Sequence, residues 1–381
     1  MQEEKMNEMP LMNENEGIVL FYPYISDKAI EEVTKVLKSR WIGQGPKVEL
    51  FEQEFTKRFL TNNTAVAVGS GTDALHLAYI LAGLGPGDEI IAPVFTCTAA
   101  NIPLLYHGVK IRFADVDPNT LNINVEHVKE LINEKTKAIA CVHYGGLPCD
   151  MDELSCIAKE YNIPLIDDAA HALGATYKGK NIGDISDFSI FSFQAIKHIT
   201  TGDGGMLAIR DKNLIEKTKR LRWFGIDRSA KQLGNWENDI YEIGYKYQMN
   251  DIAAAIGLAG LSEFDKALKH RQQLLKTYEN LFADVSGIKA MGSGLTDREH
   301  AAWLCTILVD RRFDFMKKLR EYKIESSQVH YRNDRYSIFG GRQKNLPNMD
   351  AVEDKYIVLP LHNKMKIEDV EYICKVVKSG W

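Results

Sequence analysis

The sequence predicts an α/β fold: a large domain with a mostly parallel sheet between helices, followed by a smaller α+β C-terminal domain. Three observations predict it. Short apolar runs alternate with helical runs as far as Ile209, and such alternation implies crossover connections, which make neighbouring strands parallel and cover both faces of the sheet. After Arg210 the pattern turns mainly helical, and from Ala301 strands and helices mix again. With 381 residues the chain can bury a large core divided between two domains.

The elements follow in order. Residues 1–17 are acidic and polar and read as a disordered tail. Behind Ser26, Ile30, Val33 and Leu37 keep helical spacing over Asp27 to Leu37, and GQGPK (Gly43 to Lys47) breaks that helix. A second helix covers Thr72 to Leu84, where Leu75, Ala78, Tyr79 and Ala82 form one face and Gly85-Pro86-Gly87-Asp88 supplies the stop. Glu89 to Val94 reads as a strand, Val109 to Val116 as another, Val125 to Ile132 as a helix and Ala138 to Val142 as a strand. Asp150 with Glu153 makes a capping signal for a helix that runs to Tyr161. Strands follow at Pro164 to Ile166, Phe188 to Phe193 and Met206 to Ile209, then a long helix from Asn250 to about His270. The large domain is expected over 18–255 and the small one over 256–381, with a soft boundary near 250 to 270.

Hydrophobic residues at 45% and charged residues at 26% describe an ordinary globular protein. A net charge of -5 carries no electrostatic footprint for nucleic acid or an anionic membrane, which leaves small molecules as the expected partners. The six cysteines (Cys97, Cys141, Cys149, Cys156, Cys305, Cys374) form no CxxC pair, so neither a metal site nor a disulfide framework is indicated, and a reducing cytoplasm fits them. The N-terminus lacks the basic start and apolar run of a signal peptide, and no apolar stretch is long enough to span a bilayer.

Ligands of parallel sheets sit at the carboxyl ends of the strands, so the residues after each strand come first. FSFQAIKHITTGDGG (Phe191 to Gly205) places Lys197 just past an apolar strand. A lysine there forms a Schiff base if burial keeps part of it deprotonated; taken alone it reads as an exposed loop lysine. In IDDAAHALGA (Ile166 to Ala175), Asp167 and Asp168 end a strand. A carboxylate beside such a lysine serves to keep a pyridine nitrogen protonated, while two acids at a strand end also suit a helix cap or a solvated pair. VGSGTDALH (Val68 to His76) is a Gly-rich turn leading into a helix, whose free N–H groups, with the hydroxyls of Ser70 and Thr72, make a phosphate cradle or a plain strand-to-helix turn. It lacks the Gly-Lys-Ser/Thr ending of a P-loop.

Together, GSGTDAL, DDAAHALGA, FSFxxxKxxTTGxGG, RWFGIDR and GYKYQMND, in this order, resemble the DegT/DnrJ/EryC1/StrS family of sugar aminotransferases from about Phe21 to near the C-terminus. The resemblance implies the fold-type I aminotransferase architecture, pyridoxal 5'-phosphate (PLP) with pyridoxamine 5'-phosphate (PMP) as its intermediate form, and a homodimer with shared active sites. Lys197 then matches the Schiff-base lysine and Asp168 the partner of the pyridine nitrogen. Ser192, Gly71, Thr72 and the backbone at Asp73 match the phosphate site, and His171 falls near the cofactor's phenolic oxygen, although a histidine in a buried turn also often serves only backbone groups. Cys97 stands where the family commonly has an aromatic that stacks on the pyridoxal ring, and Phe95, on the same face of an extended segment, is the expected substitute. Lys246 stands where many relatives have an asparagine that reaches the neighbouring subunit's phosphate.

In SSQVHYRNDRYSIF (Ser326 to Phe339), His330 and Arg332 are the expected substrate contacts, because a diphosphate needs cationic or N–H donors. In RWFGIDR, Trp223 and Phe224 read as core and the arginines as surface. The resemblance implies a nucleoside-diphosphate keto sugar as acceptor, 4-keto-6-deoxy before 3-keto, and glutamate as donor, leaving as 2-oxoglutarate. Two alternatives remain open. A related dehydratase carries histidine at the lysine position, here next door at His198, and a non-enzymatic regulator would bind the nucleotide sugar without turnover.

Overall fold

The computed structural model describes residues 11–237 and 239–381, so the first ten residues of the expected tail lie outside them. Seven strands make the main sheet: β1 (Thr64–Val68), β2 (Glu89–Pro93), β3 (Lys110–Ala114), β4 (Thr136–Val142), β5 (Leu165–Asp168), β6 (Phe188–Ser192) and β7 (Gly205–Ile209). Their order is β1-β7-β6-β5-β4-β2-β3. The pairings β2/β3, β2/β4, β4/β5 and β5/β6 are parallel, whereas β7 runs antiparallel to both β6 and β1. Parallel strands need a crossover, usually a helix. The link from β6 to β7, residues 193–204, contains none, so the chain turns straight back. That turn carries Lys197.

Helices cover the sheet. Helix α1 (Asp27–Leu37) has the expected bounds. Helix α2 (Pro46–Phe59) is new: the GQGPK breaker also starts it, with Pro46 in the first turn, where a missing N–H costs nothing. Val48, Phe51, Phe55 and Phe59 keep its buried face, and Phe55 and Phe51 meet Phe191 of β6 and Phe193 just beyond it at ring separations of 5.1 and 5.2 Å. Helix α3 (Gly71–Leu81) follows β1, and α4 (Thr98–Tyr106), also absent from the sequence reading, tolerates Pro103 in its interior. Helices α5 (Val125–Leu131) and α6 (Met151–Glu160) connect the next parallel strands.

Asp150 is the N-cap of α6, but the expected capping bond is absent. Its carboxylate instead takes the Arg298 guanidinium at 2.7 Å, a charge-assisted bond stronger than one to a backbone amide. The RWFGIDR expectation is likewise reversed at Arg222 and Phe224. Arg222 is buried, donating to the Glu52 carboxylate and to the Ala67 carbonyl (2.6 Å), while Phe224 is exposed with φ of 56°.

The predicted long helix, α7 (Asp251–Phe282), runs 32 residues, past the expected end near His270, and the Asn250 side chain caps it. Its first half lends Ala253, Ala254, Leu261 and Phe264 to the core under the sheet; its second half lends Leu274, Leu275, Tyr278 and Phe282 to a separate C-terminal core. Gly257 lets it lie against Phe51, whose ring a Cβ there would meet at 2.6 Å. The C-terminal core packs around a three-stranded antiparallel sheet, β8 (Ile288–Ala290), β9 (Cys305–Val309) and β10 (Tyr356–Leu359). The N-terminal segment is fastened to this part of the chain, because the Glu325 carboxylate accepts from the N–H groups of Met12 (3.3 Å) and Leu20 (2.8 Å).

Candidate active site

The β6 to β7 loop is closed at its base, where the Phe193 N–H donates to the Gly204 carbonyl (2.8 Å) and the Thr201 N–H to the Phe193 carbonyl (2.9 Å). Within it the Lys197 N–H donates to the Gln194 carbonyl (2.9 Å), which fixes the backbone under the amine. Nζ lies 3.7 Å from the centroid of the Trp303 ring. Burial pushes the Lys197 ammonium down to about 8, against the pull of Asp168 and Cys97. The neighbouring His198 is engaged elsewhere: it is buried, with Nε2 2.5 Å from the Ala301 carbonyl.

Asp168 ends β5, in register with Val142 and Ile190, and is 7% exposed. Its Oδ1 accepts from the Ala170 N–H (2.9 Å), and no donor among the described residues reaches Oδ2. Burial raises its pKa, while the Ala170 N–H and Lys197 work the other way. Asp167, pointing to the other face of the sheet, is occupied by the Ser189 hydroxyl (2.8 Å) and faces His143 Nε2 at 3.8 Å. The Cys149 N–H donates to His143 Nδ1 (3.0 Å), which leaves the imidazole proton on Nε2, toward Asp167. His143 directly follows β4, so the strand-end rule would have flagged it.

At the start of α3, Ser70 is the N-cap and its hydroxyl accepts from the Asp73 N–H (3.0 Å). That corrects the expectation for Asp73: its amide is already taken, and the N–H groups left for an anion are those of Gly71 and Thr72. Burial pushes the Asp73 carboxyl up to about 6. Gly71 lies against Ser192, whose Cβ and Oγ would meet an added Cβ at 3.0 and 3.3 Å, so only glycine brings the helix start this close to that hydroxyl.

Three rings close the far side. His171 stacks on Trp303 at 3.8 Å and 14°, and His330 lies parallel to His171 at 5.3 Å and 5°. His171 Nδ1 and His330 Nε2 are both buried without a partner. Burial lowers the pKa of each, that of His330 to about 3, so both are neutral imidazoles. His330 is carried in by the strand Tyr331–Arg332, which pairs with Phe95–Thr96.

Two other expected contacts, those of Phe95 and Arg332, fall elsewhere. Phe95 is 1% exposed and packs on Tyr144 and Tyr356 in the core, so its ring does not enter the cluster, whereas Cys97 lies close enough to act on the charge of Lys197. Arg332 is fully buried and bound by three carboxylates, Asp334 through two bonds (2.6 and 2.7 Å), Glu353 (3.1 Å) and Asp350. A guanidinium so engaged has no free edge for a diphosphate, which corrects the reading of Arg332 as a substrate contact. Lys246 lies with Nζ 4.1 Å from the Trp223 ring centroid, on a segment whose Tyr247 carbonyl accepts from the Gly69 N–H (2.7 Å). Trp303 was missed, because nothing in HAAWLC marks it locally; only the fold brings it from the C-terminal half to Lys197.

These residues fit PLP: an amine on a fixed loop, a buried carboxylate with one open oxygen, a helix start opened by glycine toward a serine hydroxyl, and an unpartnered His171 nitrogen. The DegT/DnrJ/EryC1/StrS aminotransferase family matches residues 23–378. The chain is 35% identical over 372 residues to spore coat polysaccharide biosynthesis protein SpsC of Bacillus subtilis, covering 94% of this chain and 95% of that protein. It is 33% identical to GDP-perosamine synthase of Escherichia coli O157:H7, covering 95% and 98%. Among solved structures it superposes on the sugar aminotransferase CalS13 of Micromonospora echinospora with a TM-score of 0.90, 32% identity and coverage of 96% and 100%. The sugar aminotransferase Spr1654 of Streptococcus pneumoniae, solved in PMP and PLP forms, superposes with a TM-score of 0.89 at 31% and 30% identity, covering 95% of this chain and 98% of that one.

Proposed function

The chain belongs to the DegT/DnrJ/EryC1/StrS aminotransferase family, and from that premise we propose that it moves an amino group from glutamate to a nucleoside-diphosphate 4-keto-6-deoxy sugar. It is a PLP-dependent sugar aminotransferase. The observation that carries the reading is the pairing of Lys197, whose ammonium burial weakens to about 8, with the buried, half-open carboxylate of Asp168.

PLP, when bound, supplies an electron sink that no side chain offers. The chain's own residues do the rest. The Gly71 and Thr72 N–H groups and the Ser192 hydroxyl hold the phosphate at the start of α3. Asp168 offers Oδ2 to the ring nitrogen and, being buried, keeps a proton there by direct charge contact. His171 presents its unpartnered Nδ1 to the phenolic oxygen. Lys197, with an ammonium that loses its proton near the working pH, takes a proton from the donor carbon and returns one on the acceptor side. His330 presents Nε2 to the sugar. Cys97 borders the amine that would carry the cofactor, at the position where an aromatic would stack.

The active unit in this reading is a cytoplasmic homodimer. Leu233, Trp236, Tyr241 and Ile243 are 88%, 73%, 70% and 84% exposed, suited to cover by a second copy, and Lys246 on the same stretch would then reach the partner's phosphate site. No helix among the described residues is long and apolar enough to cross a membrane.

The test is incubation with glutamate and a panel of dTDP-, GDP- and UDP-linked keto sugars. Stoichiometric 2-oxoglutarate with an amino sugar is the expected result. Ammonia released without 2-oxoglutarate would make the protein a dehydratase instead. The engagement of His198 with the Ala301 carbonyl favours the aminotransferase, because it leaves Lys197 alone facing Asp168.

A further inference from the structure

The Trp303 ring is held from several sides. Its indole N–H donates to the carbonyl of Ile196, the residue before the lysine (3.1 Å), and its main chain is fixed by the Gly145 carbonyl (3.0 Å) and by Arg271 (2.9 Å). His171 stacks on it at 3.8 Å, Phe21 lies near parallel to it at 5.9 Å, and the residue is 1% exposed. A ring so constrained presents a fixed negative face, and the Lys197 Nζ stands 3.7 Å from its centroid. No carboxylate among the described residues lies within ion-pair distance of that amine.

We propose that Trp303 is a positioning residue for Lys197: whenever the amine is not bonded to the cofactor, the indole face holds it and stabilises it as a cation. The proposal rests on Lys197 being the amine that serves the cofactor. The lysine alternates between amine and ammonium as it takes and returns a proton, and a buried ammonium without a partner is costly. The other charged or titratable groups around it are Asp168 at the end of β5, Cys97 at the start of α4, His171, His330 and, on its own loop, His198. The histidines are neutralised by burial, Asp168 is outside ion-pair range and Cys97 makes no hydrogen bond to the amine, whereas the indole face lies 3.7 Å from it. Because Trp303 precedes β9 and bonds to Ile196, it also ties the lysine loop to the C-terminal part of the chain.

The experiment uses the full-length protein in its PMP form, in which the lysine amine is free. Acetylation of Lys197 by acetic anhydride is followed by peptide mass spectrometry as a function of pH. The wild-type midpoint is the reference against which each variant, in the same PMP form, is read. Trp303→Leu should lower it by about one pH unit, since removing the π face favours the neutral amine, and Trp303→Phe should restore most of the shift. A series of fluorinated tryptophans at position 303 keeps the shape while draining charge from the face, so it serves even if Trp303→Leu fails to fold. The midpoint should fall with each added fluorine, and a flat series overturns the proposal. Borohydride treatment of the PLP form separates the two layers: cofactor fixed to Lys197 with a flat series removes only the role of Trp303, whereas no cofactor on Lys197 removes the functional reading as well.

Discussion

Asp168 at the site and Arg332, two residues beyond His330, are both buried charged residues, and their surroundings are opposite. Asp168 holds one backbone N–H on Oδ1 and leaves Oδ2 without a donor. Arg332 makes four bonds to three carboxylates. A buried polar group left unpaired is expensive, so the open side of Asp168 marks a place where the native state is completed by a ligand. A saturated guanidinium marks a place already complete, and its work is to hold the segment that carries His330. The unpartnered nitrogens of His171 and His330 fall on the Asp168 side of this contrast.

The strongest way to sharpen it is to remove the amine that Asp168 faces. Lys197→Ala should lower turnover by about 10⁴-fold or more and abolish the visible band of bound PLP, checked by steady-state rates and absorbance. Asp168→Asn should cost about 10³-fold in rate without loss of fold. Its stability effect has a definite sign. The folded pKa of Asp168 is raised, so in the cofactor-free protein the native state holds more protons than the unfolded one, and stability falls as pH rises above about 4. The asparagine variant should therefore be the more stable protein at pH 7, with the advantage vanishing near pH 3 in thermal melts. A variant less stable at pH 7 would break the comparison.

Arg332→Met should do the reverse. It leaves Asp334 buried without its partner and should cost about 3 kcal/mol of stability in denaturant titrations. Any rise in the KM for the nucleotide sugar should match that of His330→Ala and not exceed it, since the guanidinium has no edge for a diphosphate and acts only by holding the His330 segment. The smallest expected effect is that of Ser192→Ala, which removes one hydroxyl from the phosphate site and should weaken PLP binding by about tenfold, read by equilibrium dialysis.

Much of this site is legible in the chain because strand ends are local features. Lys197 and Asp168 stand at the ends of short apolar runs that alternate with helices and so read as strands, and the carboxyl edge of a parallel sheet is where ligands sit. Gly71 and Ser192 came from the family resemblance, and only the structure shows the close approach of helix start and strand that requires the glycine. Helix α2 was legible too and was missed, since its Val48, Phe51, Phe55 and Phe59 spacing lay behind a Pro46 taken only as a breaker. The Asp73 amide was misjudged because a Ser70 side chain three residues earlier competes for it, the ordinary behaviour of an N-cap.

The sequence by itself thus determined which residues stand at the strand ends, because that depends on short-range periodicity and on one general property of parallel sheets; that a lysine, an acid and a helix start would meet there followed from the order of the family's motifs. Only the tertiary structure decided the rest. It turned β7 antiparallel, since the lysine loop contains no crossover helix. It bound Arg332 to carboxylates, two of which lie in the segment from Asp350 to Glu353, buried Phe95 under Tyr144, and brought Trp303 against Lys197 from the C-terminal half of the chain. The physical reason is common to all three: the partner that sets a buried side chain's role is distant in sequence, and no local pattern records it.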